Sequence, residues 1–250
     1  MRAKSLGWQL LSVILVCSAW EIAGRIPISI AFPTFFETMA AFFRMMGDGS
    51  LGKAFWITLQ PLVIGLLISI AFGVVLGVAM GLSETFEWFG APVFIVMQAA
   101  PMAAVIPLIT FVYGIGLTAK VVAVCLLAAP VIVLNSYKAV RNTNPSLIQM
   151  CRSFQGTRLQ EIVKIIIPDA SPVIFAGLRL GVAAGFIGIV LAELLITPTG
   201  IGDLITYHRA VADYAEMYAT ILSIIVFSAV TVGLLQTLEV LLFRPEKKAE

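Results

Sequence analysis

Few residues in this sequence are of types that do chemistry, and they lie far apart. The one histidine, His208, stands in a polar stretch without a partner at helical spacing, so we expect it to be solvated. The cysteines Cys17, Cys125 and Cys151 follow no disulfide or metal-ligand spacing, and we expect them to pack as small apolar side chains. The sequence has neither an H-E-x-x-H helix nor a G-x-x-x-x-G-K-[ST] phosphate loop. It therefore predicts no catalytic residue, no metal site and no cofactor bound by this chain.

Two ionisable residues stand out because a long apolar segment contains both. Arg179 and Glu193 are 14 positions apart, which is about 21 Å along a helix, so they cannot pair with each other. An arginine at the centre of a membrane helix costs on the order of 2.5–3.5 kcal/mol. Arg179 either faces a pathway and attracts an anion, or reaches the headgroups or a neighbouring helix. We expect Glu193 to be a structural or gate residue rather than a proton carrier.

The composition explains why such charges matter. Of the 250 residues, 60% are hydrophobic and 12% are charged, whereas a soluble domain has about 25% charged residues. The sequence predicts one all-α polytopic domain, with the bilayer as its solvent. A spanning helix needs about 20 mostly apolar residues, and six segments qualify: 5–23, 55–81, 88–112, 117–137, 170–196 and 217–243. The net charge of +2 and the absence of a basic stripe argue against nucleic acid as a partner.

Basic residues predict that both termini are cytoplasmic. Six spans place both ends on one side, and the inner segments then hold ten Lys and Arg against five outside, as the positive-inside rule favours. The beginning MRAKSLGWQLLSVILVCSAW resembles a signal peptide, but no A-x-A-like cleavage site follows, so we expect a retained first span. Apolar residues at helical spacing in FPTFFETMAAFFRMM predict an interfacial helix before the second span.

Prolines interrupt the third predicted span at Pro92, Pro101 and Pro107. A proline leaves a backbone carbonyl that lipid cannot satisfy. Residues from Gln98 to Pro107 are therefore expected either to line a translocation pathway or to form a kink that serves packing.

Three glycines in the second span repeat every fourth residue; they are Gly73, Gly77 and Gly81. This spacing lets another helix approach closely. It predicts a packing face, which a second copy of the chain could share.

The largest polar segment, residues 138–169, predicts two short helices, which we call the elbow (residues 144–166). Asn144 can cap the first helix, and Pro145 suits its first position. An apolar stripe at i, i+3, i+4 and i+7 follows, formed by Leu147, Met150, Cys151 and Phe154. Gly156 permits the left-handed turn that ends such a helix.

The second elbow helix is predicted to begin at once, because Thr157 and Gln160 fit a capping box. Its apolar stripe consists of Leu159, Ile162, Val163 and Ile166. Pro168 and Pro172 are expected to stop or kink it. We expect the stripes to pack on the protein's own helices and the charged residues, Glu161 included, to lie mainly outside them. The elbow is then either an ordinary surface helix pair or a docking surface for a cytoplasmic partner.

The segment CRSFQGTRLQEIVKIIIPDASPVIFAGLRLGV resembles the cytoplasmic signature loop of ABC importer permeases, in which E-A-A-R-S-L-G precedes a hydrophobic-Leu-Pro and a Gly-Leu-Arg. Arg152 and Ser153 match R-S, Phe154 takes the place of the leucine, and the later motifs match Ile167-Pro168 and Gly177-Leu178-Arg179. The E-A-A is replaced by Gln149-Met150-Cys151, and Gln155 stands where the family has its glycine. The fragments SAWEIAGRIP, APMAAVIPLITFVYGIG and AELLITPTGIGDLI are similar to the sulfonate, nitrate and taurine branch.

This resemblance implies a MetI-like importer permease fold in the bacterial inner membrane. It implies that the elbow is a coupling helix on a separate ATPase, which uses ATP and Mg. It also implies two ATPase copies, a second permease copy (a homodimer) and an extracytoplasmic binding protein for a small anion or a related nutrient. The implied coupling residues are Gln149, Met150, Cys151, Arg152, Ser153, Phe154, Gln155, Gly156, Thr157 and Arg158. The expected pathway residues are Gln98, Pro101, Pro107, Arg179 and Glu193.

Two other classes of function compete with this interpretation. A self-contained secondary transporter or channel would need paired intramembrane charges or an inverted repeat, and we find neither in the sequence. An intramembrane enzyme would need H-E-x-x-H or a Ser/His pair within the membrane, and the single histidine argues against it.

Overall fold

The computed structural model describes residues 2–26, 31–196 and 198–243, and these residues form helices joined by short connections, with no strand among them. The prediction of an all-α protein is confirmed. The elements are α1 (Arg2–Arg25), α2 (Phe35–Gly47), α3 (Ser50–Leu82), α4 (Glu84–Ala99), α5 (Met102–Tyr113), α6 (Leu117–Arg141), α7 (Pro145–Ser153), α8 (Arg158–Gln160), a π-helical segment (Glu161–Ile166), α9 (Ile167–Leu195), α10 (Ile201–Ala210) and α11 (Tyr214–Phe243).

Within the described residues, four helical segments are long and apolar enough to cross a membrane: Ser50–Leu82, Leu117–Arg141, Arg158–Leu195 and Tyr214–Leu242. The pair α4 and α5, bent by 103°, makes a fifth if the two count as one span. The count leaves out α1, whose side chains are described only in part, so six spans stays a prediction. The basic residues Arg244, Lys247 and Lys248, which support the predicted orientation, lie outside the described residues.

The third predicted span is therefore not one straight helix. Pro101 stands between α4 and α5, at a position where its ring cannot continue the helical hydrogen bonds. Pro92 and Pro107 lie inside α4 and α5 without ending them.

The chain divides into two compact units, and the first comprises Met1–Ile57 and Pro198–Phe227. Its second helix begins with a capping box, in which Thr34 and Glu37 each accept the other's backbone N–H, at 3.2 and 2.9 Å. Trp20 of α1 donates its indole N–H to the Pro33 carbonyl at 3.1 Å. Arg44 pairs with Glu216 of α11 at 2.7 Å. The helix predicted before the second span is thus confirmed as α2, and its place at the membrane interface stays a prediction.

The expectation of a solvated histidine is wrong. The His208 side chain is 14% exposed, and its Nδ1 lies 3.9 Å from a carboxylate oxygen of Asp213. Ala212 adopts a left-handed conformation (φ 61°) at the end of α10, and the Asp213 N–H bonds back to the His208 carbonyl at 2.9 Å. This turn brings the carboxylate to the ring, which the spacing along the sequence did not indicate.

The second unit, Thr58–Thr197 with Ser228–Glu250, is built around α6. The glycines of the predicted packing face lie against α6: a Cβ on Gly77 would lie 2.5 Å from the Val133 carbonyl oxygen, and one on Gly81 would lie 2.5 Å from Val140 Cβ. On the other side, a Cβ on Gly177 of α9 would meet Asn135 Cβ at 2.5 Å. The predicted packing face is confirmed, and its partner is a helix of the same chain.

The helix α6 is consequently the most deeply buried element described in this unit. Ala123, Ala128, Ile132 and Val133 have no exposed surface. Small residues on α3 and α9 allow this burial because two backbones can approach only where side chains are absent.

Adding one methyl group at Gly77 should separate α3 from α6. We expect Gly77→Ala to destabilise the protein by about 1–3 kcal/mol, since the new Cβ meets backbone atoms that cannot turn away. Gly52→Ala on the same helix is the control, because its Cβ would have no neighbour within 4 Å. We expect the control to keep or slightly raise the melting temperature in detergent, and an unchanged melting temperature for Gly77→Ala would contradict the proposed contact.

Candidate functional site

The first elbow helix begins as the sequence predicts. The Asn144 side chain accepts the Ser146 N–H at 2.9 Å, and Pro145 occupies the first turn of α7. In addition, the Asn144 backbone N–H donates to the carboxylate of Asp169 at 3.2 Å. This bond fastens the beginning of α7 to α9.

The turn after α7 corrects the prediction for Gly156. The left-handed residue is Gln155, with φ 56°, which is the position where the resemblance expects a glycine. The N–H of Gln155 donates to Arg152 O and that of Gly156 to Cys151 O, both at 2.9 Å, which is the Schellman pattern. Gly156 is required for another reason: a Cβ there would lie 2.5 Å from Cys151 Sγ and 2.9 Å from its carbonyl oxygen.

The second elbow helix begins with the predicted capping box. Thr157 Oγ1 accepts the Gln160 N–H at 3.3 Å, and Gln160 Oε1 accepts the Thr157 N–H at 2.9 Å. Two donors at the beginning of the helix are thereby satisfied.

Pro168 and Pro172 do not stop this helix, because Arg158–Leu195 runs as one helical segment of 38 residues. The other expectation, a kink, stays a prediction. The π-helical segment comes directly before Pro168, and the Ile167 N–H bonds there to the Ile162 carbonyl. Its wider turn accommodates the proline ring. Pro172 cannot donate to the Pro168 carbonyl, which accepts the Ser171 hydroxyl instead at 2.8 Å.

Half of the residues of the two apolar stripes are exposed, contrary to the expectation that the stripes pack inside. Phe154 is 81% exposed and Leu159 is 70% exposed, with Met150 and Val163 also exposed. Of the stripe residues, Ile166 is buried against Ala139, Val140, Ala170 and Ile174. The elbow thus rests on the helices through a few aliphatic side chains and presents an outer apolar surface, which consists of Met150, Phe154, Leu159 and Val163.

Glu161, which belongs to neither apolar stripe, lies inside the elbow rather than on its surface. It is 3% exposed and accepts hydrogen bonds from Arg152 Nε at 3.2 Å and from Arg158. The bond and the charge of Glu161 raise the pKa of the Arg152 guanidinium above its usual value. One buried carboxylate therefore holds the end of α7 to the beginning of α8.

Most of the ten predicted coupling residues are accessible. Cys151 and Gly156, which contact each other, are partly buried. The exposed ones are Gln149, Met150, Arg152, Ser153, Phe154, Gln155, Thr157 and Arg158.

The predicted pathway residues fall in separate places. Gln98, Pro101 and Pro107 are exposed on α4 and α5, near the 103° bend. Arg179 of α9 pairs with Glu239 of α11 at 3.2 Å. Of the alternatives given for Arg179, this is contact with a neighbouring helix. Glu193 takes part in a different cluster.

The sequence analysis missed that cluster, because it found no paired intramembrane charge. Lys120 Nζ lies 2.7 Å from Glu193 Oε1, and the two residues are 3% and 2% exposed. The Thr58 hydroxyl lies 3.0 and 2.9 Å from the two carboxylate oxygens. The partners are 73 and 135 positions from Glu193, so local spacing carries no signal. The sequence indicates this pair only by one lysine and one glutamate that each lie near the end of an apolar segment.

Comparison with known proteins assigns the chain to a family. Residues 69–243 match the family described as the binding-protein-dependent transport system inner membrane component. The chain belongs to this family. It is therefore an inner-membrane component of a transport system, in keeping with its apolar helices.

Curated relatives of this transport component carry substrate names. A Bacillus subtilis protein described as an aliphatic sulfonate transport permease is 25% identical over 240 residues, 94% of this chain and 87% of the relative. A taurine transport permease of Escherichia coli is 28% identical, over 63% of this chain and 58% of its own length. A nitrate import permease of Leptolyngbya laminosa is 28% identical, over 79% of this chain and 69% of its own length.

Solved structures support the fold of the component. The methionine ABC transporter MetNI, in an inward-facing conformation, matches with TM-score 0.58 and 19% identity, over 76% of this chain and 96% of that one. An amino acid ABC transporter matches with TM-score 0.61 and 18% identity, over 82% and 98%. The predicted importer permease fold is thereby confirmed.

The strained turn generates a prediction. Gln155→Gly should stabilise the elbow by about 1 kcal/mol, because glycine adopts the left-handed conformation without the clash of Cβ. Hydrogen exchange of the amides of α7 and α8 measures the effect as increased protection. Gln149→Gly, inside α7, is the matched control and should lower protection by about 1 kcal/mol. Equal responses of the two variants would show that Gln155 is not strained.

Proposed function

We propose that this component is the permease subunit of an ATP-driven importer and that the elbow couples it to a separate ATPase. The family match and the permease names of the relatives support the transport role. The observation that carries the coupling role is the outer apolar surface of the elbow, because large apolar side chains exposed outside lipid mark sites of protein contact.

The construction of the elbow suits such a contact. Caps, the Schellman turn and the buried Glu161 hold α7 and α8 in one geometry. A preorganised surface binds without losing conformational entropy at the moment of contact. Exposed Arg152, Arg158 and Lys164 border Phe154 and Leu159 in the sequence, so the ATPase groove should be apolar with an acidic rim.

The machine proposed is two permease copies forming a homodimer, two ATPases and one extracytoplasmic binding protein. ATP and Mg are used by the ATPase. The elbow and both termini lie on the cytoplasmic side of the bacterial inner membrane, which the distribution of basic residues supports. The translocation pathway is proposed to pass the bend at Gln98, Pro101 and Pro107, with Arg179 and Glu193 serving as helix-pairing residues beside it.

The proposed substrate is a small organic or inorganic anion, such as a sulfonate, taurine or nitrate, or a related small nutrient. The names of the curated relatives support this class. The binding protein is expected to determine most of the selectivity.

A second candidate function is a self-contained secondary transporter or channel. Two ion pairs favour it, Lys120–Glu193 and Arg179–Glu239, because intramembrane charges mark ion pathways in such proteins. Each pair joins neighbouring helices, however, and the Glu193 carboxylate is enclosed by its partners. A driving ion gradient would distinguish this candidate, since it would support uptake without ATP.

A charge in the outer apolar surface should uncouple the machine. We expect Phe154→Asp to reduce ATP-dependent uptake by roughly tenfold or more, since it places a carboxylate where an apolar groove is expected. Ser146→Asp is the control, because it adds the same charge at the exposed beginning of α7, where the helix dipole favours it. Uptake by Phe154→Asp at the level of the control would contradict the coupling role.

Copurification tests the partners and the substrate together. The tagged chain, expressed with the ATPase and binding protein encoded beside it, should elute with the ATPase and hydrolyse ATP in a vanadate-sensitive manner. Proteoliposomes should then accumulate radiolabelled taurine, an alkanesulfonate or nitrate when the binding protein is present. A well-folded preparation that elutes without an ATPase and takes up solute on an ion gradient would favour the second candidate.

A further inference from the structure

The buried cluster of Thr58, Lys120 and Glu193 has a particular place in the second unit. Lys120 lies in the first turn of α6, and Glu193 lies two residues before the end of α9. Thr58 lies in the first third of α3. Each residue therefore comes from a different helix, and the three meet at the end of these helices that is opposite the elbow.

One continuous helix connects this cluster with the elbow. The segment Arg158–Leu195 carries Glu161, the buried carboxylate of the elbow, near its beginning and Glu193 near its end. The two carboxylates are 32 positions apart, which is about 48 Å along a helix. A displacement of the elbow is thus applied at one end of a helix whose other end is held by the cluster.

The rest of the contact between α9 and α6 is close packing at glycines. Along its length α9 meets α6 through Gly177, Gly181 and Gly188, which lie against Asn135, Ile132 and Ala123. In lipid, such surfaces associate largely through van der Waals packing, which is less directional than a hydrogen-bonded charge. A buried ion pair with correct hydrogen bonds is directional, and fixing register is the best-attested use of such groups.

We propose that Thr58, Lys120 and Glu193 form a positioning lock that keeps the far ends of α3, α6 and α9 in register, so that movement of the elbow carries the three helices together. The lock binds no substrate, since its carboxylate is occupied by Lys120 and Thr58. This inference rests on the proposed function, because it needs an elbow that a partner moves. It assigns to Lys120 and Glu193 a role that neither family resemblance nor sequence spacing supplied.

The measurement is solute uptake per ATP hydrolysed, made with the complete transporter in proteoliposomes. Glu193→Gln leaves the Lys120 charge buried without its counter-charge, and we expect uptake per ATP to fall by about tenfold or more while ATP hydrolysis changes by less than about threefold. Lys120→Met combined with Glu193→Leu replaces the pair by apolar side chains of similar volume. This double variant leaves no buried charge, so it should assemble. It also lacks the directional contact, and we expect its uptake per ATP to stay about tenfold below the wild type.

If Glu193→Gln does not assemble, two milder substitutions of Thr58 test the lock. Thr58→Val keeps the shape of the side chain but removes the hydroxyl from the carboxylate, and it should lower uptake per ATP by about threefold. Thr58→Ser keeps the hydroxyl and should match the wild type. Wild-type uptake per ATP in Thr58→Val would overturn the lock. So would a folded double variant with wild-type uptake per ATP, because the register would then be kept without the ion pair.

Failure of the proposed function gives a different result. If the chain is not an ATP-driven permease, the wild-type protein itself shows no ATPase in the eluate and no ATP-dependent uptake. A failure of the lock alone leaves the wild type and the Phe154→Asp effect intact.

Discussion

The close approach of α6 to α3 and α9 is the constraint on which the second unit depends. Lipid chains are as apolar as leucine, so helices in a bilayer gain little by hiding apolar side chains from lipid. They gain by close contact, which requires glycine where the backbones meet. Gly77 and Gly177 provide such positions on the two sides of α6. The buried polar cluster at one end and the elbow at the other both take their positions from this contact.

Polar groups follow a second rule, because none can be left alone in an apolar medium. The described structure satisfies it in several ways. A π-helical turn precedes Pro168. The Ser171 hydroxyl donates to the Pro168 carbonyl, to which Pro172 cannot donate. Lys120 of α6 forms an ion pair with Glu193 of α9. The two arrangements at the prolines keep a helix continuous where the residue type alone would interrupt it. A continuous helix is what connects the elbow with the far end of the unit.

The elbow combines internal rigidity with an apolar exterior. Glu161 is sequestered by two arginines, whereas Phe154 extends into the surroundings. The turn is left-handed at Gln155, where the resemblance expects a glycine. Gly156 supports this turn, because its missing side chain lets the chain fold back on Cys151.

The sequence by itself determined the features that depend on composition or on interactions between residues close together in the chain. Composition determined the all-α membrane class, and the caps at Asn144 and Thr157 followed from side chains that bond to their own backbone within three residues. The tertiary structure alone decided which face of the elbow is buried, because an apolar stripe reports its spacing and not its partner. It alone also brought Glu193 to Lys120, which is 73 positions away. Helix packing sets that distance, and no local pattern records it.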